Sequence, residues 1–215
     1  MQPYSKRKII VHLRYDGSMT GSSHALALLL GERPPRADAE RNVSALLEAT
    51  RELVIDGDLN PSAAQIAGAA GVGVGTLYRR ALSKEALLAA AVIDLLDDVC
   101  EAADAHDTSA SWEGFEAFAI EYLRIREITC SITHALEEEF DGGVSAAKER
   151  TRAAFTRLTQ RLRDGNYLDK AVDAADLMVL MASIDITDET LGLDPDNARR
   201  QRVVRRLLSS LRFTK

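Results

Sequence analysis

The chain has 215 residues, 46% hydrophobic and 28% charged, enough for one large or two small globular domains with a real core. Aromatics are 5% and the formal net charge is −6, which excludes a uniformly basic nucleic-acid coat but not a local basic head. Residues 1–85 carry 11 Lys/Arg against 9 Asp/Glu and residues 86–215 carry 16 against 24, so the acidity lies in the C-terminal part.

The two cysteines, Cys100 and Cys130, lack CxxC spacing and exclude a disulfide scaffold. No apolar run reaches the roughly 18 residues of a membrane span. Lys6, Arg7 and Lys8 precede the apolar run Ala25–Leu30, but Arg14, Asp16 and His24 intervene and no small-residue cleavage site follows. A cytoplasmic protein without a membrane partner is expected.

Residues 1–37, with Gly17, Gly21, Gly31 and Pro34-Pro35, show no sustained 3.6-residue period. They read as a disordered or weakly ordered extension, or as a basic arm with 6 Lys/Arg and 2 acids over residues 1–36. From Ala37 the pattern turns helical. Val43, Leu46, Leu47, Ala49, Thr50, Leu53 and Val54 form one apolar stripe ending at Ile55-Asp56-Gly57. Asp58-Leu59-Asn60-Pro61 has turn chemistry, and Ser62 is placed to cap a short helix, Ala63–Ala70. A second short helix spans about Val74–Arg80. Ser83 opens a long one through Ala105, with Leu87, Leu88, Ala91, Val92, Leu95 and Leu96 facing inward. Further helices are predicted near Trp112–Arg124, Ile128–Glu139, Val144–Asp164, Ala174–Asp185 and Pro195–Leu211. The fold class is therefore all-α, about nine helices.

The run Ile66–Tyr78 carries the functional signal. Two short helices cross closely only if the residues between them are small and the turn accepts a left-handed residue. Ala67 and Gly71 meet those demands, and Leu77 anchors the second helix in a core with Ile66 and Val72. This is helix-turn-helix spacing, and the second helix is the candidate reader of base edges in the major groove. Gly73 and Gly75 bare its backbone, and Thr76 offers a hydroxyl and a methyl. Tyr78, Arg79 and Arg80 extend the same surface. Ser83 and Lys84 start the next helix, where a phosphate is favoured. Residues 72–84 hold three cations and no acid, which a corner packed only for stability does not require.

The run Ile66–Ala89, with GVGVGTLYRR and SKEALL, resembles the TetR-type transcriptional regulators, and the likeness extends back to about Ala39. The resemblance implies a three-helix DNA-binding domain over residues 39–98, with its motif at 62–81, and an effector-binding and dimerisation domain over 99–215. It also implies operator-backbone contacts from Thr76, Tyr78 and Lys84, with Val74, Gly75 and Arg79 on the groove-facing helix. The DNA-contacting set is then Ser62, Val74, Gly75, Thr76, Tyr78, Arg79, Arg80, Ser83 and Lys84. The chain departs from the family's pattern in two ways. Val54 and Ala81 stand where the family usually has aromatics, and Gly57 falls one residue before the usual glycine, with Asp58 in its place. A thinner, less stable head is expected.

The Trp112 helix and the stretch Arg163–Leu180 (RDGNYLDKAVDAADLMVL) resemble the SbtR-like subgroup. The resemblance places a homodimer interface on the last two helices, where Leu177, Met178, Met181, Ile184, Val203, Val204, Leu207, Leu208 and Leu211 supply apolar stripes that intramolecular core would also explain. Walls of a pocket for an unknown small-molecule effector are Trp112, Phe115, Phe118, Tyr122, Phe140, Phe155 and Met181, the same side chains that a plain core would use. Asp185 would need a partner if buried. Cys130, His134 and Glu138 share one helix face but lack a fourth metal ligand, so no metal or other cofactor is expected. A Cys100–Cys130 redox switch has no visible activating environment. No GxSxG, P-loop or HExxH motif occurs, and the four histidines have no evident catalytic partners, so the chain is not expected to be an enzyme. The sequence predicts a ligand-responsive repressor acting as a homodimer on palindromic operator DNA. The alternative is a DNA-binding protein without an effector, whose acidic C-terminal body binds another protein.

Overall fold

A computed structural model describes residues 23–31, 37–79, 83–105, 112–136, 141–184, 191–194 and 196–213. Among them are nine helices: α1 (Ser23–Leu30), α2 (Ala37–Ile55), α3 (Ala63–Ala69), α4 (Val74–Arg79), α5 (Lys84–Ala105), α6 (Trp112–Ala135), α7 (Asp141–Asp164), α8 (Ala174–Ser183) and α9 (Asn197–Ser209). The expected all-α class is what the chain adopts. No described helix is long and apolar enough to cross a membrane.

The chain divides into two compact units: Met1–Asp98 with Ile128–Arg150, and Val99–Glu127 with Thr151–Lys215. In the first, α3 packs on α2 and α4 around Val43, Leu46, Leu47, Val54, Ile66, Ala67 and Leu77, all buried. Residues 1–37 were expected to lack regular structure, and α1 corrects this over Ser23–Leu30. Its Ala25 and Leu29 are buried, and it packs on α2. Polar His24 and the short length of the run hid the helix, since its apolar residues are continuous and show no period. The basic-arm residues lie outside the described ones.

The first unit also buries charge. Every residue of α5 from Leu87 to Val99 is buried, including Asp94, Asp97 and Asp98. Arg51 of α2, itself buried, pairs with both Asp94 (Nε to Oδ2, 3.3 Å) and Asp98. Asp97 receives Arg150 of α7 at 2.7 Å and lies 3.1 Å from His24 Nδ1 of α1.

In the second unit Phe155 lies 4.6 Å from Tyr122 and 5.7 Å from Phe118, centroid to centroid, and Trp112 lies 5.3 Å from Phe115. The segment after α9 pairs with the turn after α7, through Asp169 N to Leu211 O (2.9 Å) and Phe213 N to Tyr167 O (3.1 Å). Arg212 then sits over the Trp112 ring at 5.6 Å.

Helix boundaries from α6 onward differ from expectation. Trp112–Arg124 and Ile128–Glu139 merge into unbroken α6, because Ile125-Arg126-Glu127 contains no breaker. Helix α7 starts at Asp141 and takes in Gly143, where a side chain would press on Ile93 (3.2 Å) and approach Leu28 (3.7 Å). That glycine reflects close packing within the first unit, not a turn. The last two helices are shorter than predicted, at Ala174–Ser183 and Asn197–Ser209, while Asp185 and Pro195 lie outside the described residues.

Candidate nucleic-acid interface

The helix-turn-helix is built from its ends inward. Helix α2 stops in a left-handed glycine: Gly57 has φ +104°, Gly57 N donates to Val54 O (3.2 Å) and Asp58 N to Leu53 O (3.0 Å). The glycine expected to be displaced therefore closes the helix where it stands. Asp58 serves elsewhere, since its Oδ2 accepts Gln65 Nε2 at 2.9 Å and its Oδ1 accepts Asn60 N at 3.3 Å.

Ser62 caps α3 in a reciprocal box. Its Oγ accepts Gln65 N (3.2 Å), and Gln65 Oε1 accepts Ser62 N (2.9 Å). Helix α3 ends on Gly71, at φ +68°, with Val72 N donating to Ala67 O (3.0 Å) and Gly71 N to Gly68 O (3.2 Å). The turn chemistry expected of Gly71 is present.

Helix α4 then presents two faces. Leu77 is fully buried, whereas Val74 is 38% and Tyr78 60% exposed. A Cβ built on Gly73 or Gly75 meets nothing within 4 Å, and neither residue has a positive φ. Neither backbone geometry nor internal packing requires these glycines, so what they leave open is the outer surface. Thr76 is half-buried and its N–H bonds Gly73 O at 2.7 Å. Arg79 closes α4, and Arg80 and Ala81 lie outside the described residues. Ser83 caps α5 by accepting Ala86 N (3.0 Å), and Lys84 Nζ donates to Asn60 Oδ1 at 2.7 Å. The hydroxyls of Ser62 and Ser83, expected to meet DNA, are thus engaged as caps.

The rings expected to wall an effector pocket pack on one another. Trp112, Phe115, Tyr122, Phe155 and Met181 are buried and Phe118 is half-buried, while Phe140 lies outside the described residues. A cleft of about 400 Å³ instead lies between α7 and the start of α8, lined by Arg152, Thr156, Thr159, Gln160, Arg163, Asp173, Ala174, Ala175 and Met178. Periodicity cannot separate a ring in a core from a ring in a wall. Of the expected dimer residues, Leu177, Ile184 and Leu208 are buried within the unit, Met178 and Leu211 are half-buried, and Val203 and Leu207 are 48% and 38% exposed. Val179, not anticipated, is 68% exposed. Cys130 and His134 are exposed, Glu138 lies outside the described residues, and half-buried Cys100 has its Sγ 3.7 Å from Thr151 Oγ1.

A helix-turn-helix in a chain whose described elements are all helices defines a class of fold. Residues 46–91 match the family described as bacterial regulatory proteins, tetR family. The match runs from the second half of α2 through the helix-turn-helix into α5. No curated protein sequence matches it. Among solved structures it is similar to a TetR transcription regulatory protein from Mycobacterium vanbaalenii, with TM-score 0.56 and 23% identity over 83% of this chain and 99% of that one. A TetR transcriptional regulator from Streptomyces coelicolor gives 0.59 and 22%, covering 80% and 99% of the two chains. NalD, the secondary repressor of the MexAB-OprM multidrug efflux pump in Pseudomonas aeruginosa, gives 0.50 and 19%, covering 82% and 98%. At these identities the likeness is one of fold.

Proposed function

We propose that the protein is a non-enzymatic, sequence-specific DNA-binding transcriptional regulator that acts as a homodimer on a two-fold operator. The observation that carries this reading is α4: an outward face with Gly73 and Gly75 bare and Tyr78 exposed, in a stretch with three cations and no acid. Such a surface suits close approach to a phosphate backbone and groove. Val74, Gly75, Thr76, Tyr78, Arg79 and Arg80 are assigned to the DNA face, with Lys84 as a phosphate contact. Ser62 and Ser83 act there by holding helix starts.

Dimerisation is assigned to the exposed apolar residues Val179, Val203 and Leu207 of α8 and α9. A two-fold pair of heads spans half-sites about 34 Å apart, which one small head does not. The repressor sense is taken from NalD, a secondary repressor of similar fold, and response to a small molecule is proposed from the open cleft of the C-terminal part. The α7–α8 cleft is the better candidate for the effector than the ring cluster, because it is open and lined by Arg152, Arg163, Thr156 and Gln160. The SbtR-like assignment of the C-terminal part rests on Arg163–Leu180. A second reading, a regulator with no effector, draws support from the mutual packing of the rings.

Selection of bound duplexes from fragmented bacterial genomic DNA tests the main reading. Enrichment of a two-fold symmetric site is expected. A folded, dimeric protein that enriches no sequence would overturn it.

A further inference from the structure

Lys84 is held by a residue outside the expected DNA-binding set. Its Nζ donates to Asn60 Oδ1 at 2.7 Å, across 24 positions of chain, from the first turn of α5 to the connector between α2 and α3. An ammonium only donates, so the amide oxygen must be the atom that faces it. The connector is itself fixed. Asp58 accepts Asn60 N through one oxygen and Gln65 Nε2 through the other, and Gln65 is locked to Ser62 in the α3 cap. Glu85 Oε1 forms an ion pair with Nζ at 3.7 Å, beyond hydrogen-bond distance.

The chemistry of the holder matters. Lysine has a flexible four-carbon stem and rotamer entropy to lose on binding. A carboxylate in place of Asn60 would fix the stem but also neutralise the charge and compete with phosphate. A neutral amide oxygen fixes it and leaves the full charge and the remaining N–H donors for another anion. Asp58, the connector's carboxylate two residues from Asn60, is turned to Gln65 and the Asn60 backbone instead.

The geometry points to Asn60 as a positioning residue for Lys84, setting the ammonium in advance where it meets an operator phosphate. This inference rests on the DNA-binding reading above. Its test is a double-mutant cycle on the full-length protein, with Asn60→Ala, Lys84→Ala and both together. Affinity for a duplex recovered by the genomic selection is followed by fluorescence anisotropy across a salt series. Lys84→Ala is expected to reduce the slope of log K against log salt by about 1.8, one phosphate contact from each of the two heads. Asn60→Ala should weaken binding about five- to a hundredfold in the wild-type background, the size of one hydrogen bond in each of the two heads. In the Lys84→Ala background it should change binding less than about twofold, because nothing is left to position. Asn60→Ser, whose hydroxyl keeps an acceptor, should restore part of the loss, and melting temperature controls for folding. Equal losses from Asn60→Ala in both backgrounds, or none in the wild type, would overturn the inference while leaving DNA binding intact. An unchanged salt slope in Lys84→Ala would remove the phosphate contact, and the inference with it.

Discussion

Gly75 separates stability from function. It lies inside a helix, without positive φ and with open space where a Cβ would go. Alanine there should stabilise the head by about 0.5–1 kcal/mol through helix propensity. The same methyl would stand on the face assigned to DNA, so affinity should fall while the urea midpoint rises; a midpoint and an affinity that rise together would refute that assignment. Arg51 is the opposite kind of residue. It sits in the apolar stripe of α2 and pairs with two carboxylates of α5, Asp94 and Asp98, all three buried. Arg51→Met leaves those carboxylates without their cation, and a loss of about 3–5 kcal/mol is expected in urea unfolding. The sequence places Asp94, Asp97 and Asp98 within the apolar stretch Leu87–Val99, but nothing in it says that the partner of Asp98 is 47 residues back. Asp104 gives a pH test. The hydrogen bond from Arg157 holds its carboxyl below the usual range, with the charges of Arg157 and Arg161 adding to the effect. A depressed folded pKa stabilises the fold above the unfolded value of about 3.9. That contribution is lost as pH falls through the lower folded value. Asp104→Asn should therefore flatten the acid limb of the stability curve below about pH 4, by a small amount because the pair is exposed to solvent.

At the scale of elements, helix ends were more legible than helix lengths. Gly57, Gly71 and Asn166 all adopt positive φ just past α2, α3 and α7, and each gives the same paired closure. For α7 the bonds are Tyr167 N to Leu162 O (2.9 Å) and Asn166 N to Arg163 O (3.0 Å). Gly and Asn are the residues that tolerate this conformation, so these stops can be read from composition. Gly71→Val places a branched side chain at φ +68° and should cost about 1–2 kcal/mol, seen as a lower melting temperature of the head. Gly143 is a glycine of another kind: it lies inside α7 and makes room for Ile93 and Leu28. Helix α1 was missed because a short apolar run shows no period, and its two buried residues gain their meaning only from what they touch.

For the whole molecule the decisive test is assembly. Val203 and Leu207 lie one helical turn apart on α9 and are exposed, beside buried Val204 and Leu208. The double substitution Val203→Glu, Leu207→Glu should convert a dimer into a monomer by sedimentation and weaken operator binding, while leaving the melting of the head unchanged. A variant that stays dimeric would remove α9 from the interface. The all-helical class, the turn at Gly71, the buried anchor Leu77 and the open outer face of α4 all followed from the sequence. They depend on neighbours three or four residues apart and on the backbone preferences of single residues. Which apolar residues of α8 and α9 are core and which are surface, where the cleft lies, and what holds Lys84 were decided only by tertiary structure. Arg51 with Asp98, Asn60 with Lys84, and Phe118 with Phe155 are pairs distant in sequence. No local pattern encodes them, and only the folded backbone brings them within contact.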